Sequence, residues 1–303
     1  MRHYLKETDL SKEETLGLIA DARANRGERS QALAGRYLGL IFSKPSTRTR
    51  VSFTVGAYQL GGHALFLNEK ELQLGRGETI PDTARVLSVY LDGVVIRTFS
   101  QRDVEDFAAA ATIPVINGLT DDRHPCQALA DIMTISEYHD DLTNVKVAYL
   151  GDGNNVAVSL ACMCAYVGAH VVLATPPELA VPGWAITEVR ELAAASGGRV
   201  DVIAEPAEAV READFLYTDV WFSMGQQSVP EKRERLLPYR IDAALLAQAG
   251  PDCRVMHCLP AHRGEEISAE VMDGPRSIVF QQAENRLHAQ KELLKRLMGS
   301  AQE

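Results

Sequence analysis

The stretch 145-VKVAYLGDGNNVAVSLACMCAYVGAHVVLA-174 decides the fold, because its pattern is that of a strand, a helix and a second strand in succession. Apolar runs of strand length form its two ends, and the middle is apolar over the length of a helix. Residues 153–177 carry no Asp, Glu, Lys or Arg and are numerous enough to cross a bilayer. Since asparagines and a histidine lie within this run and Gly168 divides it, we interpret it as a buried helix followed by a buried strand.

The same alternation extends over the rest of the chain. Short apolar runs alternate with segments of helical period, which predicts βαβ units and mostly parallel sheets. Ten strands exceed one small sheet, so we predict an α/β fold with two doubly wound parallel-sheet domains and the functional site in the cleft between them. The predicted strands are 37–42, 63–67, 93–97, 113–117, 145–150, 170–174, 200–204, 214–218, 254–258 and 277–280.

The polar stretch 136-SEYHDDLTN-144 is the predicted junction of the domains. We therefore expect a first domain over residues 1–138 and a second over 139–283. The tail over 284–303 has the period of an amphipathic helix, and we expect it to pack back on the first domain.

The composition is that of an ordinary globular protein, with 303 residues, 46% of them apolar and 24% charged. The net charge of −10 argues against a nucleic-acid-binding protein, which needs a basic face. The N-terminal ten residues lack the apolar segment of a signal peptide. The five cysteines have neither a disulfide-framework nor a zinc-site spacing. We expect a soluble, cytoplasmic protein without a membrane partner.

Polar residues that can do chemistry follow seven of the predicted strands. Ligands of open parallel sheets bind at the carboxyl ends of the strands, where loops and helix N-termini meet. We therefore expect these residues to line one cleft. They are Ser46–Arg50, Arg97, 124-HPCQ-127, 151-GDGNN-155, 219-DVWFSMG-225, 257-HCLP-260 and Glu284–Arg286.

Arg48 and Arg50 lie at a predicted helix N-terminus, which already carries positive charge from the helix dipole. One interpretation is that Ser46 or Thr47 caps the helix and the arginines point into solvent. The run S-T-R-T-R on a strand-to-helix turn favours another, because hydroxyls, free backbone N–H groups and guanidiniums together suit a multiply charged anion. We predict a phosphate site.

Pro125 is predicted to occupy the first position of a helix. His124 and Gln127 would then face the same crevice. A neutral imidazole beside a phosphate site can donate a hydrogen bond to a carbonyl oxygen and act as an electrophile.

The turn 151-GDGNN-155 matches a dinucleotide-binding loop only in part. The pattern G-x-G-x-x-G needs a glycine where Val156 stands, and no acidic residue follows the next strand to hold a ribose. We expect instead that the amide of Asn154 or Asn155 contacts a ligand of another kind.

Two residues at strand ends admit a functional or a structural interpretation. Asp219 can pair with an ammonium group or serve as a turn residue. Cys258 can be a partly ionised thiol or a buried structural cysteine.

The motifs S-T-R-T-R, H-P-x-Q, D-x-W-x-S-M-G and H-C-L-P, in this order, resemble the aspartate/ornithine carbamoyltransferase family over nearly the whole chain. The first two motifs belong to the carbamoyl-phosphate half of that family, and the last two favour ornithine as the second substrate. The resemblance implies transfer of a carbamoyl group from carbamoyl phosphate to the side-chain amine of L-ornithine, giving L-citrulline and phosphate in arginine metabolism. It also implies a reaction without cofactor or metal.

The resemblance assigns roles by position. Arg48, Arg97, His124 and Cys258 would be catalytic. Ornithine would contact Asn155, Asp219, Ser223 and Met224. The family forms homotrimers with sites at subunit interfaces, and Gln73 would reach into a neighbour. Carbamoyl phosphate would contact Ser46, Thr47, Arg48, Thr49, Gln73, Arg97, His124, Gln127, Cys258, Leu259 and Arg286.

Three alternatives stay open on the residues alone. One is a related transcarbamylase that acts on putrescine or an acylated ornithine. Another is a non-enzymatic relative that binds anions, and the third is a nucleotide-dependent oxidoreductase, suggested only by G-D-G.

Overall fold

The computed structural model describes residues 2–68, 72, 77–223 and 228–299. The chain separates into two compact units, one of Met1–Met133 with Glu284–Glu303 and the other of Thr134–Ala283. Each unit has its own parallel sheet. The prediction of an α/β fold with two doubly wound parallel-sheet domains is confirmed.

The first unit contains a four-stranded sheet with the order β2–β1–β3–β4. β3 and β4 are buried along their whole length, as is typical of parallel strands covered on both faces. The elements up to the unit boundary are α1 (Lys12–Ala24), β1 (Tyr37–Phe42), α2 (Thr47–Gln59), β2 (His63–Asn68), α3 (Ile80–Tyr90), β3 (Gly93–Arg97), α4 (Gln101–Ala110), β4 (Val115–Leu119) and α5 (Pro125–Ser136).

The order of strands fixes where the first unit can bind a ligand. The chain runs from β1 outward to β2, and from β3 outward to β4 in the other direction, so the switch point lies between β1 and β3. Phe42 pairs in register with Arg97 at this edge. The turn that follows Phe42 therefore begins beside Arg97.

The second unit contains a five-stranded parallel sheet with the order β7–β6–β5–β8–β9. Its switch point lies between β5 and β8, where Leu150 pairs with Thr218. The elements are β5 (Lys146–Leu150), α6 (Asn155–Val167), β6 (His170–Ala174), α7 (Gly183–Ser196), β7 (Arg199–Val202), α8 (Pro206–Ala209), β8 (Phe215–Thr218), α9 (Pro230–Leu236), α10 (Ala243–Leu246), β9 (Arg254–His257), α11 (Ala269–Met272) and α12 (Val279–Met298), which continues into the first unit.

The stretch 145–174 folds as its pattern predicts, into β5, α6 and β6. Every residue of α6 is buried except Asn155 and Tyr166. Gly168 ends the helix with a φ of 96°, a conformation that glycine adopts without steric cost. In the described part of the chain, no helix is long and apolar enough to span a bilayer.

The prediction of a strand over 277–280 is wrong. Ser277 forms only an isolated bridge with Val255, and α12 begins at Val279. The backbone N–H of Ile278 still donates to the carbonyl of Val255 at 3.0 Å, so this run borders the sheet before it turns into a helix. Three apolar residues after a serine fit a strand or the first turn of a helix equally well. The described residues therefore form nine strands.

Candidate active site

The turn after β1 leads directly into α2, whose cap is Ser46. The Ser46 hydroxyl accepts a hydrogen bond from the backbone N–H of Thr49 at 3.2 Å. The first turn of α2 contains no acidic residue that would offset the helix dipole. Capping thus explains Ser46, while half-buried Arg48 adds positive charge to this helix end. Buried Thr49 contributes a neutral hydroxyl there.

Arg286 on α12 connects three helices of the first unit. Its Nη1 donates to Oε1 of Gln127 at 2.6 Å, and its Nη2 donates to Oγ1 of Thr49 at 3.1 Å. With its amide oxygen turned toward Arg286, Gln290 accepts from Nη2 at 2.7 Å and from Nε at 2.9 Å. Gln127 is itself held by its donation to Asp131 at 2.8 Å. Three predicted site residues, Thr49, Gln127 and Arg286, are therefore in direct contact.

His124 is buried at the start of α5, where Pro125 occupies the first helical position as predicted. Burial lowers the pKa of His124 well below 6.5, and the charges of Arg286, Arg97 and Arg48 lower it further. The imidazole is therefore neutral at pH 7 and can donate one hydrogen bond without adding a charge. We call Arg48, Arg97 and Arg286 the arginine cluster.

Arg97 ends β3 with its side chain almost fully buried. Its backbone carbonyl accepts from the N–H of Ser43 at 2.9 Å, which ties the ends of β1 and β3 together. Lys44 in the same turn forms an ion pair with Asp121, and its ammonium lies 4.2 Å from the centroid of the Phe99 ring. Sequence reasoning missed Lys44, although it stands two residues before S-T-R-T-R.

Arg50 does not share the environment of Arg48. It is exposed, and its guanidinium lies 3.6 Å from the centroid of the Phe66 ring. Such cation–π packing on an exposed ring explains the position of Arg50 without a ligand. The solvent-facing interpretation therefore holds for this second arginine of the motif.

The switch point of the second unit contains Asn154, Asp219 and Cys258. Asn154 caps α6 through its Oδ1, which accepts from the N–H groups of Val156 and Ala157 at 3.0 and 3.1 Å. Its Nδ2 donates to Oδ2 of Asp219 at 2.8 Å, and Sγ of Cys258 donates to Oδ1 at 2.9 Å. We call the last contact the Asp219–Cys258 pair.

The five cysteines differ in their burial. Cys258 is partly exposed, whereas Cys126, Cys162, Cys164 and Cys253 are buried. Burial raises the pKa of Cys126 and of Cys253 to about 12. The structural interpretation thus fits the other four but not Cys258.

The H-C-L-P segment has its own internal support. Nδ1 of His257 accepts from the backbone N–H of Leu259 at 2.9 Å, so Nε2 carries the hydrogen that faces Oε1 of Glu266 at 3.1 Å. Leu259 has a φ of 59°, which is uncommon for a bulky residue and stores backbone strain. The buried His257 and Glu266 side chains hold the segment in this conformation.

The ligating atoms of Asp219, His257 and Cys258 lie within 4.8 Å of one another. Asp219 is hydrogen-bonded to Cys258 and Asn154, whereas His257 is hydrogen-bonded to Leu259 and Glu266. These three side chains thus already have hydrogen-bond partners within the protein.

The remaining predicted site residues are less informative. Thr47 is exposed, and Ser223 and Asn155 are partly buried. Gln73 and Met224 lie outside the described residues.

A buried ion pair that the sequence did not indicate adjoins His124. Nη1 of Arg123 donates to Oε2 of Glu7 at 2.7 Å, and both side chains are buried. The pair joins the N-terminal segment to the turn that carries His124. The two residues are 116 positions apart, so no local pattern could have revealed it.

Two open parallel sheets, each with polar side chains at its switch point, make this a two-domain α/β protein of the doubly wound class. Residues 2–137 match the family described as aspartate/ornithine carbamoyltransferase, carbamoyl-P binding domain. Residues 143–297 match the Asp/Orn binding domain of the same family. The chain belongs to the aspartate/ornithine carbamoyltransferase family, and the resemblance drawn from the four motifs is confirmed.

Individual relatives agree with this assignment. The ornithine carbamoyltransferase of Methanoculleus marisnigri is 54% identical over 304 residues, covering 98% of this chain and 97% of the relative. That of Bacillus thuringiensis is 52% identical over 296 residues, covering 97% and 94%.

Solved structures of ornithine carbamoyltransferases are also similar. The enzyme from Pyrococcus furiosus has a TM-score of 0.96 at 49% identity, covering 99% of this chain and 98% of that chain. The enzyme from Gloeobacter violaceus has a TM-score of 0.89 at 47% identity, covering 99% and 100%.

Proposed function

We propose that this protein transfers the carbamoyl group of carbamoyl phosphate to the side-chain amine of L-ornithine, giving L-citrulline and phosphate. The observation that carries the proposal is the contact of Arg286 with Thr49 and Gln127 beside neutral His124. This arrangement lies in the part of the chain that matches a carbamoyl-phosphate-binding domain. The names of relatives at about half identity support ornithine as the acceptor.

The phosphate of the donor would bind at the N-terminus of α2. Ser46, Thr47 and Thr49 offer hydroxyl and backbone donors there, and the helix dipole favours an anion. Arg48 can add paired, charge-assisted hydrogen bonds to phosphate oxygens. As the phosphate leaves, the same groups stabilise its growing charge.

The carbonyl oxygen would face Arg97 and His124, with the Thr49 hydroxyl beside them. Negative charge grows on this oxygen when the amine attacks the carbonyl carbon. Donors fixed in advance stabilise such a charge because they need no reorganisation during the reaction. His124 suits this task since its neutral imidazole donates without repelling the neighbouring guanidiniums. Gln127 and Arg286 would orient the carbamoyl group.

Ornithine would bind to the second unit. Asn155, Asp219, Ser223 and Met224 would hold its α-amino and α-carboxylate groups, with Asp219 as the partner of the ammonium. Cys258 and Leu259 would lie near the side-chain amine and the carbamoyl nitrogen, and Cys258 would orient Asp219 rather than attack.

The reaction balances without a covalent enzyme intermediate. The deprotonated amine forms the new C–N bond, the bond from the carbonyl carbon to the phosphate oxygen breaks, and the departing phosphate accepts the proton that the amine nitrogen gives up. Alignment of the two substrates is itself a large part of the rate acceleration.

Only the deprotonated amine can attack the carbonyl carbon. The rate should therefore rise with pH through the neutral range, as more of the amine loses its proton.

We also propose a homotrimer with the sites at its subunit interfaces, and Gln73 as the residue that enters a neighbour's site. Exposed apolar side chains on the first unit support an assembly. Val89 and Tyr90 on α3 are 80% and 70% exposed, and Val51, Tyr58 and Phe66 are also exposed. Apolar side chains of this kind are often covered at interfaces between proteins. The cytoplasm and arginine metabolism are the proposed setting.

The decisive test supplies carbamoyl phosphate with ornithine, putrescine, N-acetylornithine or aspartate in parallel and measures each carbamoylated product. We expect citrulline from ornithine at the highest kcat/KM. Preferred carbamoylation of putrescine or N-acetylornithine would assign the chain to another transcarbamylase. Binding of carbamoyl phosphate without any product would assign it a non-enzymatic role.

A further inference from the structure

Lys232 on α9 forms a contact that none of the four motifs includes. Its Nζ lies 2.8 Å from Oδ2 of Asp152, in the turn between β5 and α6. The two side chains are only 18% and 12% exposed. The ammonium also lies 5.5 Å from the centroid of the Phe222 ring. Lys232 thus touches both the 151–155 turn and the 219–223 segment.

The 151–155 turn is held firmly from its other side. The N–H of Gly153 donates to the carbonyl of Leu179 at 2.8 Å. A Cβ at Gly153 would come within 2.3–2.6 Å of the backbone of residues 179–181, so only glycine fits there. The hydroxyl of Tyr149 donates to the carbonyl of Asp152 at 2.8 Å. Lys232 therefore contacts a turn whose backbone is already fixed in place.

The turn transmits its position to the proposed ornithine ligands. Asn154 follows Asp152 by two residues and donates to Asp219, and Asn155 comes next in the chain. Through Lys232, the 219–223 segment is tied to this fixed turn. Phe222 lies on the other segment that Lys232 touches, one residue before Ser223.

Charge gives a second reason for the contact. Burial raises the pKa of Asp152, Lys232 opposes this rise, and the neighbouring charge of Asp219 adds to it. Without Lys232, the carboxylate of Asp152 would lie in a poorly solvated place without its ammonium partner and near a second carboxylate, that of Asp219. With Lys232 present, an ammonium at 2.8 Å balances the charge of Asp152.

We propose that Lys232 and Asp152 are positioning residues for the amino-acid substrate. Their ion pair ties the 219–223 segment to the fixed 151–155 turn, so that Asn155 and Asp219 face ornithine together. This inference rests on the proposed function. It predicts in addition that loss of the Lys232–Asp152 ion pair weakens ornithine binding and leaves carbamoyl-phosphate binding intact.

The test compares Lys232→Met, Asp152→Asn and the double variant in the citrulline assay with the full-length protein. We expect each single variant to raise the ornithine KM about tenfold, equivalent to ~1.4 kcal/mol. The carbamoyl-phosphate KM should change less than about twofold, because its proposed ligands in the first unit are untouched. The ornithine KM of the double variant should not exceed that of the more impaired single variant, since both substitutions remove the same contact.

Two variants on the same helix serve as controls. Lys232→Arg keeps the charge and should retain most of the wild-type ornithine KM. Arg235→Met removes a cation whose ion pair with Glu178, at 3.3 Å, is solvent-exposed, so its kinetics should equal those of the wild type. Should Lys232→Met not fold, Asp152→Asn gives the same comparison, because it removes the charge and keeps the side-chain shape.

Three results would overturn the inference: an unchanged ornithine KM in the folded variants, equal increases in both KM values, or additive effects in the double variant. An inactive wild-type protein would instead defeat the proposed function.

Discussion

Arg286, in the arginine cluster of the first unit, and Asp219, in the Asp219–Cys258 pair of the second, carry charges of opposite sign, and both are hydrogen-bonded to neutral side chains. Arg286 donates to the neutral oxygens of Thr49 and Gln127. Asp219 accepts from the neutral donors of Asn154 and Cys258. Neutral partners orient a charge without cancelling it, and an oriented charge can still act on a ligand.

The ion pairs beside these sites show the other solution. Glu7 with Arg123, and Asp152 with Lys232, bring opposite charges together at 2.7 and 2.8 Å. A paired charge in a poorly solvated place is stable, but it has little field left for a ligand. The difference separates the charges proposed to bind substrate from the charges that support them, and substitutions can test the separation.

The largest effect is expected from Arg286→Met. It removes a buried guanidinium that orients Thr49 and Gln127. We expect kcat/KM to fall about 10²–10³-fold, or ~3–4 kcal/mol, as when one donor to a developing charge is lost. Citrulline formation measures it. Arg102→Met, which loses only an exposed pair with Asp106, is the control and should keep full activity.

Glu7→Gln is expected to lower the free energy of unfolding by a similar number of kcal/mol, while the variant retains its activity. The change leaves buried Arg123 without its carboxylate, and breaking a buried pair costs about 3–5 kcal/mol. Denaturant unfolding of the variant measures the free energy. A variant that unfolds at the same denaturant concentration as the wild type would show that the pair does not support the fold.

Cys258→Ala should have a smaller effect, expressed mainly in the ornithine KM. The variant removes the thiol that donates to Asp219. We expect the ornithine KM to rise about tenfold, or ~1.4 kcal/mol. Cys258→Ser retains a donor and should lie between alanine and the wild type. Abolished turnover in Cys258→Ser would instead indicate a covalent role for the sulfur.

A more gradual effect, spread over the pH range, concerns His124. Burial and the arginine cluster lower the pKa of His124 below 6.5 in the folded protein, so below that pH the unfolded chain binds a proton that the folded protein does not. Stability from this group is therefore full above pH 6.5 and decreases as the pH falls toward the folded pKa. The slope is at most ~1.4 kcal/mol per pH unit. Unfolding of wild type and His124→Asn between pH 7 and 5 compares the two slopes, and identical slopes would contradict the account.

Much of the fold could be predicted because local patterns determine it. The apolar run that Gly168 divides became α6 and β6. The run over 277–280 was predicted wrongly because contacts with residues distant in the sequence decide whether it forms a strand or a helix. The motifs S-T-R-T-R and H-P-x-Q likewise marked Thr49 and Gln127, and Arg286 was marked by the polar stretch Glu284–Arg286.

The contacts among those residues could not be predicted from the sequence. Arg286 is 159 positions from Gln127 and 237 from Thr49. The sequence left Asn154 and Asn155 as alternatives. In the structure, Asn154 caps α6 through its Oδ1, which leaves its Nδ2 to donate to Asp219. Arg48 and Arg50 look equivalent as letters, yet only Arg50 packs on Phe66.

Arg48 therefore provides the most direct test of the claim that this helix end exists to bind a phosphoryl group. Calorimetric titration of Arg48→Ala with carbamoyl phosphate, beside the wild type and Arg102→Ala, measures the contribution of the guanidinium. We predict that Arg48→Ala binds at least about tenfold more weakly, as expected for ~1.5–3 kcal/mol from a charged hydrogen bond, and that Arg102→Ala binds like the wild type. Equal affinity of Arg48→Ala and the wild type would contradict the claim.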